Sequence, residues 1–484
     1  MNKADINRCL TRLFVDRKDD LFLTDSVSGS RLTYGQFEDA ARRYAAIFAG
    51  RLKDSGKGCR IVTVCANNYR LLCIYWAALM LGANIVPLDS LKGKQEICDM
   101  AGMVDADLVI SDVPTELDNN LLLNELDRLA ENGAEFDFTG YGTVDYEADY
   151  LTVFTSGSTG VAKGVVHSFK DLYLSAVSFG RMFDFSEKNV FFHNFPMSFM
   201  AGILNTFIKP LVCGSSIVVG ERQSVTSVFN FWNVAIKYSI NTFWFNPTFA
   251  HLLLQLDRGT AGIDYCRNHT ITACIGTAPL DIKVKHAFEE KYGIELFESF
   301  GLSETLFIAT NTPKVKRVAG SVGQPLEGVK LLFSDDSEIV LDTPWSLKRY
   351  LGGDDLRNKP FPSGDLGEVD LAGNLFITGR KKDLIIKGGI NVSPLKIEKY
   401  VNGHFKIDGL LLVLGVPDSV MGEKTVLFYQ DENLSADQQK EINIAVQRDL
   451  GKDYIIDKFI FLKSFPLNVN GKIDKPKMRR DFAQ

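Results

Sequence analysis

The chain has 484 residues, with 54 Lys and Arg against 60 Asp and Glu, and its formal net charge is -6. This length exceeds the size at which one hydrophobic core stops growing, so at least two structural units are expected. An apolar fraction of 45% and a charged fraction of 24% exclude a disordered or collagen-like chain. No Lys/Arg cluster of the kind that tracks a phosphate backbone is present, so no nucleic-acid partner is expected.

Cysteine usage and apolar runs bear on the cellular compartment and on membrane insertion. The eight cysteines are scattered and include no C-x-x-C pair, which argues against a zinc ribbon or a disulfide framework. Residues 1–20 lack the apolar stretch of a secretory signal. The longest apolar run, residues 71–88, contains Gly82, Asn84 and Pro87 and is interpreted as a buried helix, a glycine turn and a core strand. We expect a cytoplasmic protein with reduced thiols and no transmembrane segment.

Helix-period and strand-like segments alternate from Leu32 to Tyr350. The patterns predict helices at 34–48 and 69–81 and strands at 60–65, 84–86, 107–111 and 151–154. This alternation is typical of parallel α/β layers.

The composition changes near Gly379, where the charged stretch 380–383 indicates a hinge. Beyond it the patterns predict strands at 410–416, 425–429 and 459–462 and a helix at 436–450. The predicted fold class is α/β, with a large N-terminal domain of layered α/β subdomains, residues 1–381, and a small mobile α+β C-terminal domain, residues 382–484.

The strongest local signal follows the strand at 151–154. It is a loop of small residues that ends in a lysine and a glycine: Thr155, Ser156, Gly157, Ser158, Thr159, Gly160, Val161, Ala162, Lys163 and Gly164. Glycines let backbone approach a ligand, and hydroxyl and NH groups can surround phosphate oxygens while the lysine supplies charge. The spacing is not that of a Walker A loop. The alternative is a flexible surface linker, but a linker seldom follows a buried strand directly.

This loop closely resembles the phosphate loop of the adenylate-forming superfamily, which includes acyl-CoA synthetases, peptide-synthetase adenylation domains and firefly luciferase. Two further segments resemble that family in the same order along the chain: Gly276, Thr277, Ala278 and Pro279, and then Ser299, Phe300, Gly301, Leu302, Ser303 and Glu304. The resemblance implies that the first lies along the adenine, that Phe300 stacks on it, that Ser303 contacts the α-phosphate and that Glu304 helps to hold Mg²⁺. The family more often has Tyr and Thr at 300 and 303, and both replacements keep the ring or the hydroxyl.

The last family-like motifs lie at the hinge and beyond it. By resemblance, Asp365 binds the ribose hydroxyls, Arg380 reaches the ribose or a phosphate, and Lys382 is the hinge residue. Gly388 and Gly389 resemble the segment that admits a pantetheine arm in acyl-CoA synthetases. Lys472, in a P-x-x-x-x-G-K motif, is implied to place its ammonium between the substrate carboxylate and the α-phosphate.

The resemblance also implies an acyl pocket around Phe199, Met200 and Gly202. Amino-acid-activating members of the family carry an Asp near residues 243–245, where this chain has Phe243, Trp244 and Phe245. An unpaired ammonium in an apolar pocket is costly, so an α-amino acid is disfavoured. These aromatic residues suit an acyl wall or plain core packing equally well.

The motifs together predict an AMP-forming acid–thiol ligase. It would use ATP and Mg²⁺ to convert a small carboxylic acid to an acyl-adenylate with release of pyrophosphate, and then pass the acyl group to coenzyme A or to carrier-protein phosphopantetheine. One alternative is an amino-acid adenylating enzyme that loads a carrier protein. Another is a non-catalytic nucleotide-binding relic, although a relic should have lost charged groups such as Lys163, Glu304 and Lys472.

Overall fold

The computed structural model describes residues 2–132, 138–156, 162–418, 420–467 and 473–482. The α-helices within these ranges are α1 Lys3–Asp16, α2 Tyr34–Ala49, α3 Tyr69–Leu81, α4 Lys94–Met103, α5 Leu123–Glu131, α6 Phe169–Phe183, α7 Lys209–Val212, α8 Val228–Lys237, α9 Pro247–Leu256, α10 Ala261–Asn268, α11 Ile282–Tyr292, α12 Pro394–His404, α13 Ala436–Leu450 and α14 Lys475–Asp481. A π-helical segment, Ala201–Ile208, leads into α7.

The strands within the same ranges are β1 Leu21–Asp25, β2 Arg31–Thr33, β3 Arg60–Cys65, β4 Asn84–Asp89, β5 Leu108–Ser111, β6 Asn120–Leu122, β7 Asp149–Ser156, β8 Ala162–Ser168, β9 Val190–His193, β10 Ser216–Val219, β11 Thr242–Phe245, β12 Thr272–Ile275, β13 Leu296–Leu302, β14 Leu306–Thr310, β15 Gln324–Pro325, β16 Lys330–Phe333, β17 Glu338–Asp342, β18 Arg349–Tyr350, β19 Phe361–Val369, β20 Leu375–Arg380, β21 Ile385–Lys387, β22 Ile390–Val392, β23 Leu411–Asp418, β24 Gly422–Tyr429 and β25 Lys458–Phe461.

Two large sheets carry most of the chain. The nine-stranded sheet has the order β15-β14-β13-β12-β11-β9-β10-β1-β2, and the seven-stranded sheet has the order β18-β8-β7-β4-β3-β5-β6. In the nine-stranded sheet β1, β10, β9, β11, β12 and β13 run parallel, and the outer pairs are antiparallel. Their strands and helices α2, α3 and α6 share one continuous apolar core. The predicted layered α/β architecture is confirmed.

Helix α3 shows how the sequence dictates this core. It is buried from Leu71 to Leu81, as expected of a helix that is apolar on every face. Asn68 caps its start, and Gly82 ends it in the left-handed conformation at φ +72°, which is the usual helix terminator. Strand β4 follows and is buried throughout. The interpretation of residues 71–88 as helix, turn and core strand is therefore confirmed.

Residues 385–482, called the C-terminal region below, form their own sheet of β21 to β25 with two small cores. Val413 of β23 packs towards α12 and α13, whereas Leu412 and Leu414 pack on the opposite face with Met478 of α14. This alternation follows the period of two along a strand. A four-stranded sheet, β16-β17-β19-β20, precedes the region. The domain boundary at residue 382 stays a prediction.

Two buried histidines link the stability of this core to pH. His167 lies on β8 and His193 ends β9, and burial lowers the pKa of each to about 4. In the unfolded chain a histidine has a pKa of about 6.5. The unfolded state therefore binds more protons between these values, so histidine-linked stability is fully present above pH 6.5 and declines as the pH falls towards 4.

We expect the melting temperature of His193→Gln to fall less steeply than that of the wild type as the pH is lowered, because glutamine cannot titrate. The loss in the wild type should reach about 3 kcal/mol for each histidine at pH 4. Calorimetric melting temperatures of both proteins, measured from about pH 7 to about pH 4, test this. Asp171, whose pKa burial raises to about 6, acts in the opposite direction in both proteins, so the comparison isolates the histidine. Parallel curves would contradict the prediction.

Candidate active site

The turn between β13 and β14 holds the predicted phosphate-contacting residues. The Ser303 carbonyl accepts a hydrogen bond from His167 Nε2 at 2.7 Å, and the Glu304 carbonyl accepts one from Leu347 N at 2.6 Å. Both donors lie outside the β13–β14 hairpin, and Thr305 is fully buried beneath it. The backbone is thus fixed by its carbonyls, while the half-buried side chains of Ser303 and Glu304 stay available.

A tyrosine that no motif marks connects this turn to the phosphate loop. Tyr350 pairs with Val165 because β18 adds to the edge of β8. Its hydroxyl donates to Glu304 Oε1 at 3.3 Å, and Lys163 Nζ lies 5.5 Å from the centre of its ring. Burial and the nearby Glu304 raise the pKa of Tyr350 to about 12, so the hydroxyl remains a donor. Sequence reasoning missed Tyr350, since a tyrosine in a two-residue strand has no local signature.

The two predicted adenine segments lie against each other. Gly276 follows β12, and a Cβ at this position would lie 2.9 Å from both the carbonyl oxygen and the Oγ of Ser299. Only glycine therefore allows the segments to approach so closely. The next residue, Thr277, is exposed and has φ +73°, a conformation that costs energy for a β-branched residue. Phe300 is half-buried beside them, and Ala278, Pro279 and Gly301 complete the two segments.

Asp365 and Arg380 face each other across β19 and β20. Asp365 is 3% exposed, and Arg380 donates from Nε to its Oδ1 at 2.5 Å and from Nη2 to its Oδ2 at 3.4 Å. Although burial opposes the shift, the carboxylates of Asp365, Asp383 and Glu304 raise the pKa of Arg380. The Glu304 carboxylate is thus one of the charges that favour the protonated guanidinium of Arg380.

Part of the predicted site lies outside the described residues. This holds for Gly157, Ser158, Thr159 and Gly160 of the phosphate loop and for Lys472. The flanks of the loop are described: Thr155 pairs with Lys163, and Ser156 with Ala162, in the β7–β8 hairpin. The loop therefore begins and ends at the tip of a regular hairpin, next to Tyr350.

The predicted hinge and thiol segments lie apart from these residues in sequence and in sheet. Lys382 is exposed in a short 3-10 turn, Lys381–Asp383, between β20 and β21. Gly388 and Gly389 form the turn between β21 and β22, and the Gly388 amide donates to the Met421 carbonyl at 2.8 Å. Both glycines are exposed, so backbone is accessible at this edge of the C-terminal region.

The predicted acyl-pocket residues lie at the start of the π-helical segment. Phe199 is half-buried and Met200 is buried, while a Cβ on Gly202 would lie 2.1 Å from the Pro196 carbonyl oxygen. The glycine thus lets the helix pass close to residues 196–197. π-Helical turns are rare and often occur at functional sites.

The three aromatic residues of β11 separate by strand alternation. Trp244 packs into the large core shared by the two sheets, whereas Phe243 and Phe245 pack into a second core. Phe243 and Phe245 therefore serve packing on the far face, and Trp244 alone of the three faces the π-helical segment's side of the sheet.

Neither a protein-built metal cluster nor a membrane-spanning helix occurs in the part of the chain that the structure describes. No group of three or more His, Cys, Asp or Glu side chains there could hold a metal ion, so Glu304 offers a single carboxylate. None of the described helices is both long and apolar enough to cross a membrane.

Comparison with known proteins identifies the family. The profile described as AMP-binding enzyme matches residues 14–350, and the chain belongs to this family. The predicted membership in the adenylate-forming superfamily is thereby confirmed.

Individual relatives agree with this membership, and a solved structure shares the fold. A sulfoacetate–CoA ligase of Cupriavidus necator is 28% identical over 355 residues, covering 69% of this chain and 67% of that protein. A long-chain-fatty-acid–CoA ligase of Mycobacterium tuberculosis is 25% identical over 490 aligned residues, covering 94% and 93%. The structure of ATP-bound MatB from Rhodopseudomonas palustris has the same fold, with a TM-score of 0.85 at 22% identity and coverage of 100% and 99%.

We expect Tyr350→Phe to lower kcat/KM for ATP about two- to tenfold. The substitution removes the hydroxyl that orients Glu304 but keeps the ring beside Lys163, and one such hydrogen bond contributes ~0.5–1.5 kcal/mol. Steady-state pyrophosphate release at varied ATP measures the effect. Tyr238→Phe is the matched control, because Tyr238 also packs against a lysine, Lys237, at 4.9 Å but lies outside this site. An unchanged Tyr350→Phe enzyme would contradict the assigned role.

Proposed function

We infer that the chain is an AMP-forming acid–thiol ligase, which activates a carboxylic acid with ATP and passes the acyl group to coenzyme A. The observation that carries this proposal is the position of Tyr350, which donates to Glu304 and lies beside Lys163, so that three separate segments meet. The Asp365–Arg380 pair on β19 and β20 supplies the candidate ribose-binding carboxylate. Membership in the AMP-binding family and the names of the two relatives described above, both CoA ligases, support the proposal.

In the first half-reaction a carboxylate oxygen of the acid attacks the α-phosphorus of ATP. The bond to the pyrophosphate oxygen breaks, and pyrophosphate leaves with that electron pair. Asp365 holds the ribose hydroxyls, Ser303 contacts the α-phosphate, and Lys163 lies at the mouth of the phosphate loop. Positioning and charge neutralisation supply most of the catalysis in such transfers.

A Mg²⁺ ion fits the donor set at Glu304. One half-buried carboxylate oriented by Tyr350 suits a hard cation that takes its other ligands from phosphate oxygens and water. Bound there, the ion would neutralise charge on the leaving pyrophosphate. Lys472 would neutralise the approaching carboxylate and the α-phosphate.

In the second half-reaction the sulfur of a thiol attacks the acyl carbon. AMP leaves with the electron pair of the broken acyl–oxygen bond, and the thiol proton passes to solvent. Lys472 must first leave the site, which a rotation about Lys382 would achieve while bringing the exposed Gly388–Gly389 edge to the acyl carbon. Carrier-protein phosphopantetheine offers the same thiol and is the alternative acceptor.

The identity of the carboxylic acid is a finer point than the class of reaction. The two relatives act on acids of different kinds, since sulfoacetate carries a second anionic group and a long-chain fatty acid does not. An α-amino acid is disfavoured here, because no Asp stands at 243–245 and two of those residues belong to another core.

We expect pyrophosphate–ATP exchange with simple carboxylic acids and little exchange with α-amino acids. A panel containing both classes, assayed without a thiol, measures the first half-reaction alone. Addition of coenzyme A should then yield an acyl-thioester detectable by mass spectrometry. Exchange confined to α-amino acids would favour the carrier-loading alternative, and the absence of exchange with every acid would favour a relic.

We expect Lys472→Ala to slow acyl-adenylate formation by about a hundredfold or more, because one charge that stabilises the transition state is lost. Thioester formation from a supplied acyl-adenylate should remain within about threefold of wild type, because Lys472 has left the site in that step. Lys463→Ala is the control, since Lys463 is an exposed lysine on the same segment. Equal slowing of both half-reactions would contradict the assignment.

A further inference from the structure

Lys209 is a buried lysine that the proposed mechanism does not use. It is the first residue of α7, immediately after the π-helical segment Ala201–Ile208. The whole residue is 0% exposed, and its Nζ has no hydrogen-bond partner among the described residues. An ammonium carries three donors, and burying them without an acceptor or an anion is costly.

Aromatic rings enclose this ammonium and form what we call the aromatic cage. The distances from Nζ to the ring centres are 4.0 Å for Trp244, 4.5 Å for Phe179, 4.9 Å for Phe185, 5.2 Å for Phe191 and 5.6 Å for Phe307. Ring faces attract a cation, which explains how a charge is tolerated at this depth. They accept no conventional N–H bond, so the cage leaves the ammonium short of acceptors.

No anion of the protein balances the charge in the described residues. The titratable groups whose charge would affect the pKa of Lys209 are the thiols of Cys213 and Cys274. Burial raises their pKa to about 11 and about 12 respectively, so both are neutral at neutral pH. Burial also lowers the pKa of Lys209 to about 7, and an anion bound beside it would favour the charged form.

The cage belongs to the same structural layer as the acyl-pocket and phosphate-contacting segments. Phe307 lies three residues after Glu304 on β14, and Trp244 is the one residue of β11's aromatic run that faces this side of the sheet. Lys209 follows Gly202 by seven residues, which is at most about 10 Å along the helix axis. Lys209 therefore lies directly after the helical segment that Ala201 begins, and that segment carries Gly202 of the expected acyl wall.

We propose that Lys209 recognises a second, distal anionic group on the acid, so that the substrate is an acid that is anionic at both ends. The inference rests on the proposed ligase function and specifies its substrate class. The distal carboxylate or sulfonate would accept from Nζ inside the aromatic cage, and would supply the acceptor that the described residues do not provide. The spacing from Gly202 favours diacids of intermediate length over the shortest ones.

The wild-type enzyme provides the first test. Straight-chain α,ω-diacids and monoacids of equal length, from about four to ten carbons, are compared by kcat/KM for pyrophosphate release. We expect the best diacid to exceed its matched monoacid about 10- to 100-fold, the usual value of one charge-assisted hydrogen bond. Equal values, or a preference for monoacids at every length, would overturn the inference without any variant.

The second test uses Lys209→Met, which keeps the volume and removes the charge. The ratio of diacid to monoacid kcat/KM should fall about 10- to 100-fold, with the monoacid value kept or raised. Lys237→Met, at an exposed lysine that also packs on a ring, should leave the ratio unchanged. Parallel losses on both acids would mean that Lys209 is a packing residue only.

A binding measurement separates failure of this inference from failure of the proposed function. If no acid supports pyrophosphate release, the ligase proposal fails. Calorimetric titration of the diacid and the matched monoacid into the wild type and Lys209→Met then decides the recognition role by itself. Binding of the diacid alone, lost in Lys209→Met, supports it. Absent or equal binding in both proteins overturns it.

Discussion

The hydrogen bond from His167 to the Ser303 carbonyl joins the two large sheets at the place where the nucleotide motifs meet. His167 lies on β8 of the seven-stranded sheet, and Ser303 follows β13 of the nine-stranded sheet. His167 is fully buried and so removed from competing water, and burial keeps the ring neutral at neutral pH. A buried bond of this kind is costly to break because its donor and acceptor would both be left unsatisfied. The relative position of β8, which carries Lys163, and of the turn that carries Glu304 depends on it.

Tyr350 completes this junction from a third segment. After β16 and β17 of the four-stranded sheet, the chain returns to the seven-stranded sheet and adds β18 to the edge of β8. There the Lys348 amide donates to the Val166 carbonyl at 2.8 Å. The same return places Leu347 under the Glu304 backbone. Residues 347–350 thus hold the turn through the Glu304 carbonyl and orient its carboxylate through the Tyr350 hydroxyl. The site is built where sheet edges and a turn converge, as binding residues on a rigid scaffold commonly are.

The sequence was sufficient for the elements whose cause is local. Helix α3 and strand β4 follow from apolar residues, an Asn cap and Gly82, and the motif residues from 276 to 304 were found because their types suit a nucleotide and their order resembles a family. Tyr350, His167 and the Asp365–Arg380 pairing were not predicted as partners, because each depends on strands far apart in sequence. Residues 243–245 illustrate the same limit: the sequence shows three aromatic residues, and only the strand's pleat decides that Trp244 faces away from its neighbours.

Contacts between the C-terminal region and the rest of the chain bear on the proposed rotation. Lys283 of α11 donates to the carbonyls of Phe405 and Ile407 at 2.8 and 3.3 Å, and Asn402 donates to Asp281 at 2.6 Å. These are polar bonds, which exchange for bonds to water at a modest net cost, unlike an apolar interface that would expose its surface. Asp281 also caps α11 by accepting from the Lys283 amide, so helix α11 keeps its cap when Asn402 departs. Polar contacts of this kind can be broken at a modest net cost, as the proposed rotation requires.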